Sequence, residues 1–151
     1  MRKLDTQQIE LVATAALEAE LIRQGFEIAH PNRDRGIDLI VYTDEPSQPF
    51  SAVPIQVKAS SGTGFSVYQK YEKFDRMIFA YIWNALDKPR FFIVPYQDAV
   101  ALIPEAQKQT QSWLRDNDQG AYSWTNVPKA IHEKLKAHEN RWDLIKTALS
   151  G

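Results

Sequence analysis

The chain has 151 residues, 44% of them hydrophobic, and carries 18 Lys and Arg against 19 Asp and Glu, for a net charge of −1. That is enough apolar material for one domain, 1–151, with a sizeable core. Cysteine is absent, no apolar run approaches the length of a bilayer span, and no leader pattern opens the chain. Disulfide scaffolds and thiolate metal sites are therefore excluded, and a cytoplasmic protein without a membrane partner is expected.

Leu4-Asp5-Thr6-Gln7-Gln8-Ile9 predicts a helix start, with Asp5 as N-cap and Gln8 completing a capping box. The helix is expected to run to about Gln24, where Gly25 stops it. Ile9, Ala13, Ala16, Leu17 and Leu21 form its apolar stripe. Phe26–Ala29 predicts a first strand, and 31–36 a loop carrying Arg33, Asp34 and Arg35.

Two strand-like runs follow, Ile37–Tyr42 and Val53–Ala59, joined by a turn rich in Asp, Ser and Pro. Asp38 interrupts the first, and Gln56 and Lys58 interrupt the second. Residues two apart in a strand share a face, so Gln56 and Lys58 point the same way. If the runs pair as a hairpin, Asp38 meets them there. Groups of this kind are costly to bury unless they pair or bind a metal. Asp38, Gln56 and the Val57 carbonyl supply oxygens suited to a hard divalent cation, and Lys58 supplies positive charge.

At Gly36-Ile37-Asp38 and Gln56-Val57-Lys58 the chain resembles the PD-(D/E)XK nuclease superfamily. It departs from the family pattern in having Ile37 before the first acid and Gln56 in place of the second. Most of the chain is similar to a bacterial group I intron-encoded homing endonuclease of that superfamily. The resemblance implies an α/β fold with a restriction-endonuclease-like core, a central mixed β-sheet flanked by helices. It implies a metal-dependent DNA endonuclease using Mg²⁺ or Mn²⁺. Asp38, Gln56, Lys58 and a glutamate of the first helix would be catalytic, with Asp38, Gln56 and Val57 on the metal.

Measured back from Gly25, the family's helix glutamate falls nearest Thr14. Glu10 lies one turn early, on a line with Leu17 and Leu21, and is preferred; Glu18 is one turn late, and Glu20 also lies near the apolar face. A restriction-type or junction-resolving nuclease is the alternative, or a non-catalytic DNA-binding domain of the same fold.

Arg33 and Arg35 are candidate phosphate contacts, against a local pairing with Asp34. Ser60, Ser61 and Thr63 stand in a Gly/Ser loop with donors for phosphate. Lys70 and Lys73 alternate with Tyr68 and Tyr71, and one face of that segment is expected to lie along DNA. A net charge of −1 does not itself argue for nucleic acid and by itself favours an ordinary solvated surface. Positions 1–50 hold five basic and nine acidic residues and 51–151 thirteen and ten, which leaves room for a local basic surface.

Arg76–Trp83 and Arg90–Val94 predict strands buried on both faces, with a turn between them. A short helix is expected at 97–103, a polar segment with anchoring aromatics at 105–128, and a last amphipathic helix from Pro128 to Leu149. His30, His132 and His138 lack the spacing of a zinc site. Cutting both strands of a duplex implies a homo-oligomer, dimer or tetramer, with Trp113, Trp124 and Trp142 as candidate interface residues.

Overall fold

The computed structural model describes residues 2–115 and 119–151. The first helix, α1, spans Thr6–Arg23. Its start is the predicted capping box: the Gln8 amide donates to the Asp5 carboxylate at 2.9 Å, and the Asp5 amide donates to the Gln8 side chain at 2.9 Å. Gly25, at φ +88°, adopts the left-handed backbone that ends the helix. Ala13, Leu17 and Leu21 of the predicted stripe are fully buried.

The strands are β1 (Glu27–Ala29), β2 (Leu39–Thr43), β3 (Ser51–Ala59), β4 (Phe65–Tyr68), β5 (Ile78–Trp83), β6 (Arg90–Pro95) and β7 (Ala121–Trp124). Five form one sheet in the order β1-β2-β3-β5-β6. Only β3 and β5 run parallel, so the sheet is mixed. Pro54 sits inside β3 without breaking it. Ladder positions alternate sides, and Pro54 directs its missing N–H toward β5, whose pairing begins only at Ile55.

The sheet is covered on both faces, as the unbroken apolarity of the fifth and sixth strands predicts. Ile78, Ala80 and Ile82 of β5 join a core with α1 and with α4 (Asp143–Ser150). Phe79, Tyr81 and Trp83 point the other way, into a second core. That core also takes α2 (Tyr96–Leu102), α3 (Lys129–Leu135) and the small β4–β7 sheet. The architecture is the expected α/β class, a central mixed sheet flanked by helices.

Three expectations change. The last helix is split: α3 gives way to a 3₁₀ turn at Lys136–His138 and a left-handed Asn140, and α4 starts afresh. The Phe92–Glu139 bridge and the bidentate Arg90–Glu139 pair, at 2.9 and 2.8 Å, tie that break to β6. Tyr68–Lys73 is the end of β4 followed by a 3₁₀ helix, Gln69–Lys73, and Tyr71 is buried rather than laid along a surface. The polar segment 105–128 contains β7, while its residues 116–118 lie outside those described.

Candidate active site

The β2–β3 hairpin pairs Leu39 with Ile55, which sets Asp38, just before β2, across from Gln56. Hence Asp38, Gln56 and Lys58 share the face away from α1. They line one cavity of about 400 Å³ with Glu10 and Ser60. At its floor, the Asp38 amide donates to the Ile55 carbonyl at 2.9 Å, and the Val57 amide donates to Asp38 Oδ2 at 2.7 Å. One carboxylate oxygen is thus held by the backbone and the other stays available. The Val57 carbonyl lies on the same edge of β3, where β2 has ceased to pair.

Gln56 is 8% exposed, and its Oε1 accepts no hydrogen bond among the described residues. A buried amide oxygen left without a partner costs about 1–3 kcal/mol, which a cation at that oxygen offsets. The donor set is one carboxylate, one amide oxygen and one backbone carbonyl. Among the described residues no three Asp, Glu or His side chains gather closely enough to hold a metal by themselves. These hard oxygens fit a divalent cation that keeps several waters, as Mg²⁺ does, and do not fit a zinc centre.

Electrostatics mark the same place. Burial pushes the Asp38 carboxyl above its ordinary range, against the Val57 hydrogen bond; Asp34 raises it further, Lys58 lowers it and Glu10 raises it. Burial likewise lowers Lys58, with Asp38 opposing and Lys70 adding to the fall. Oppositely shifted groups meeting in a cleft are a functional-site signature.

Glu10 thus lies within electrostatic reach of both Asp38 and Lys58. The other glutamates are engaged elsewhere. Glu18 faces His30 at 2.8 Å, and Glu20 binds Arg23 at 3.2 Å and Gln24 at 2.9 Å.

The candidate phosphate contacts divide. Ser60 lines the cavity shared by Asp38, Gln56 and Lys58, with its hydroxyl accepting from the Gly62 amide at 3.1 Å. Arg35, Lys70 and Lys73 line an adjoining cleft of about 380 Å³ that also touches Gln56. Arg33, Ser61 and Thr63 line neither of these two spaces. The alternative pairing of these arginines with Asp34 does not form; Asp34 accepts instead from the Gly36 amide at 3.3 Å.

The sequence reading missed the opposite wall. Ser123, Trp124 and Thr125 reach the cavity from β7 and the residue after it, about 70 positions from the hairpin. A four-residue strand with two exposed positions carries no periodic signal that would have revealed them. Of the candidate interface residues, Trp113 and Trp142 are buried in the chain's own cores, at 8% and 7% exposed, and are corrected on that ground. Only Trp124, at 39%, presents substantial surface.

No protein-family model and no curated sequence matches the chain. Among solved structures the fold does find a neighbour. It is similar to a bacterial homing endonuclease, I-Ssp6803I, with a TM-score of 0.58 at 15% identity. The match covers 98% of this chain and 96% of the other. At that identity the likeness concerns the fold alone.

Proposed function

We propose that this protein is a divalent-metal-dependent DNA endonuclease of the PD-(D/E)XK type, cutting duplex DNA at a defined site in the manner of an intron-homing enzyme. The observation carrying the proposal is the orphaned Gln56 Oε1, buried between Asp38 and Lys58 at the end of a hairpin. The fold shared with a bacterial homing endonuclease along nearly the whole of both chains supports it.

Asp38, Gln56 and the Val57 carbonyl would hold Mg²⁺ or Mn²⁺. Bound there, the cation supplies Lewis-acid polarisation of the phosphate and a more acidic attacking water. Asp38 is kept oriented by the Val57 amide, so its free oxygen points where the hairpin fixes it. Lys58 donates to the attacked phosphate and offsets the charge that develops on its oxygens. Glu10 presents a second carboxylate to water on the α1 side. Ser60, Arg35, Lys70 and Lys73 contact the flanking phosphates, with Arg33, Ser61 and Thr63 farther along the backbone.

One chain supplies one such set, so cutting both strands calls for two copies, and a dimer or tetramer on a two-fold symmetric site is expected. Purified protein incubated with Mg²⁺, supercoiled duplex and a four-way junction tests the reading. Linear product from duplex bearing the site, absent for Asp38→Asn, is the expected result. Cleavage of the junction alone makes it a resolvase, and binding without cleavage makes it a non-catalytic DNA-binding domain.

A further inference from the structure

The Lys58 ammonium is half-buried, and the carboxylates near it, Asp38 and Glu10, act on it through space without pairing with it. Among the described residues its ammonium makes no hydrogen bond and no ion pair. Asp38 directs its Oδ2 to the Val57 amide instead. What Nζ does touch is aromatic: it lies 4.8 Å from the Tyr68 ring centroid and 5.2 Å from that of Tyr71.

The rings are themselves fixed. Tyr71 is 4% exposed and meets Phe79 edge-on at 5.5 Å, and Tyr68 meets Tyr71 edge-on at 6.3 Å. Lys70 approaches the same pair from its own 3₁₀ turn, at 5.5 and 5.1 Å. Two ammonium groups therefore share one aromatic surface beside Asp38, a placement that would repel without a compensating anion or ring quadrupole.

A carboxylate partner would hold Lys58 by occupying one of its N–H donors. A ring face attracts the charge and occupies none. We infer that Tyr68 and Tyr71 form an aromatic shelf that sets the Lys58 ammonium against the phosphate while leaving its three donors free. The two tyrosines are positioning residues, acting through Lys58. In its catalytic part the inference rests on the nuclease reading; in its geometric part it does not. The shelf also gives Lys70 a definite place, as the second cation met by the same phosphodiester.

The test uses the full chain labelled with ¹³C-lysine, in wild-type, Tyr68→Leu and Tyr68→Phe forms, with Tyr71→Leu and Tyr71→Phe beside them. Ring faces shift the side-chain signal of an overlying lysine upfield. The Lys58 Cε–H cross-peak, assigned by its loss in Lys58→Arg, should be displaced in wild type and in both Phe variants. In Tyr68→Leu it should move part of the way toward the position of an exposed lysine, since the Tyr71 ring 5.2 Å away remains.

In cleavage assays Tyr68→Leu should lower kcat about tenfold with little change in duplex affinity, and Phe should rescue most of the loss. Tyr71 is buried, so its Leu variant risks the fold, and the partly exposed Tyr68 decides the matter. An undisplaced wild-type cross-peak overturns the shelf. A Phe variant as impaired as the Leu variant overturns it too, by giving the role to the hydroxyl. Tyr68→Leu cleaving at the wild-type rate overturns its part in catalysis. Should wild type cut nothing, the nuclease reading fails, while the cross-peak still decides where Lys58 is held.

Discussion

The two faces of the central sheet are built from the same strands but to different ends. Toward α1 and α4, the sheet presents Leu39, Val41, Val53, Ile55, Val57, Ile78, Ala80, Ile82, Phe91 and Ile93, aliphatic but for Phe91. Toward the β4–β7 sheet it presents Phe79, Tyr81, Trp83, Phe92 and Val94, and on the same side Asp38, Gln56 and Lys58. The aliphatic face can close completely, because small branched side chains interdigitate with a helix stripe and carry nothing polar. The aromatic face takes bulky, polar-edged side chains. Tyr81 donates to the Ser66 carbonyl and Trp83 to that of Gly64, each at 2.7 Å, so this layer is tied down by hydrogen bonds as well as packing. A polar set can be lodged in such a layer, and the difference teaches that the face closed by aliphatic packing leaves no room for one, while the hydrogen-bonded aromatic face does.

Breaking that division should give opposite phenotypes on the two faces. The largest effect belongs to the polar set. Lys58→Ala and Asp38→Asn should each lower the cleavage rate by about 10³-fold or more while leaving duplex binding largely intact. Single-turnover cleavage on saturating DNA measures it, and a near-wild-type rate in either variant removes that residue from the chemistry.

On the aliphatic face, Leu17→Ala should cost about 2–5 kcal/mol of stability, because Leu17 is fully buried and α1 cannot collapse onto the space left. Its kcat below the melting transition should stay near wild type. A loss of kcat with unchanged stability would mean that the faces are not separable.

Gln56 sharpens the comparison. Gln56→Met replaces an orphaned amide by an apolar chain of similar volume. It should stabilise the metal-free protein by about 1 kcal/mol and abolish the stabilisation that added Mg²⁺ or Mn²⁺ gives wild type. Thermal melts with and without the cation measure both halves. Gln56→Glu should retain cleavage with a changed Mg²⁺/Mn²⁺ preference, and an unchanged metal dependence would argue against Gln56 as a ligand.

The smallest effect is in the pH dependence of stability. Because burial raises Asp38 above its ordinary value of 3.8, the folded chain holds that proton more tightly than the unfolded one. The contribution of Asp38 to stability therefore falls as pH rises through the folded value and stays lower at neutrality. Asp38→Asn should melt higher than wild type at pH 7, and the gap should close as pH is lowered below 4. A gap independent of pH would show that the carboxylate is not strained by its burial.

Much of this was legible in the sequence, for reasons that can be named. Strand periodicity put Gln56 and Lys58 on one face whatever the topology, and a hairpin joining 37–42 to 53–59 brings Asp38 opposite them. The Asp5 and Gln8 box and Gly25 bounded α1 because capping is a local hydrogen-bond problem with few solutions. The unbroken apolarity of β5 foretold burial on both faces.

Other features depended on contacts between distant residues, and no local pattern encodes those. The sequence preferred Glu10 by its line with Leu17 and Leu21, but that it lines the cavity with Asp38 while Glu18 turns to His30 follows from where α1 crosses the sheet. The break before α4 was fixed by Arg90 gripping Glu139 from another strand. The last wall of the cavity came from pairing β4 with β7, Phe65 opposite Trp124, across almost 60 residues of chain. The sequence by itself determined which groups share a strand face, since that follows from backbone geometry one residue at a time. Only the tertiary structure decided what stands over Lys58, because Tyr68 reaches it from the end of β4 and Tyr71 from the turn that follows, packed against Phe79.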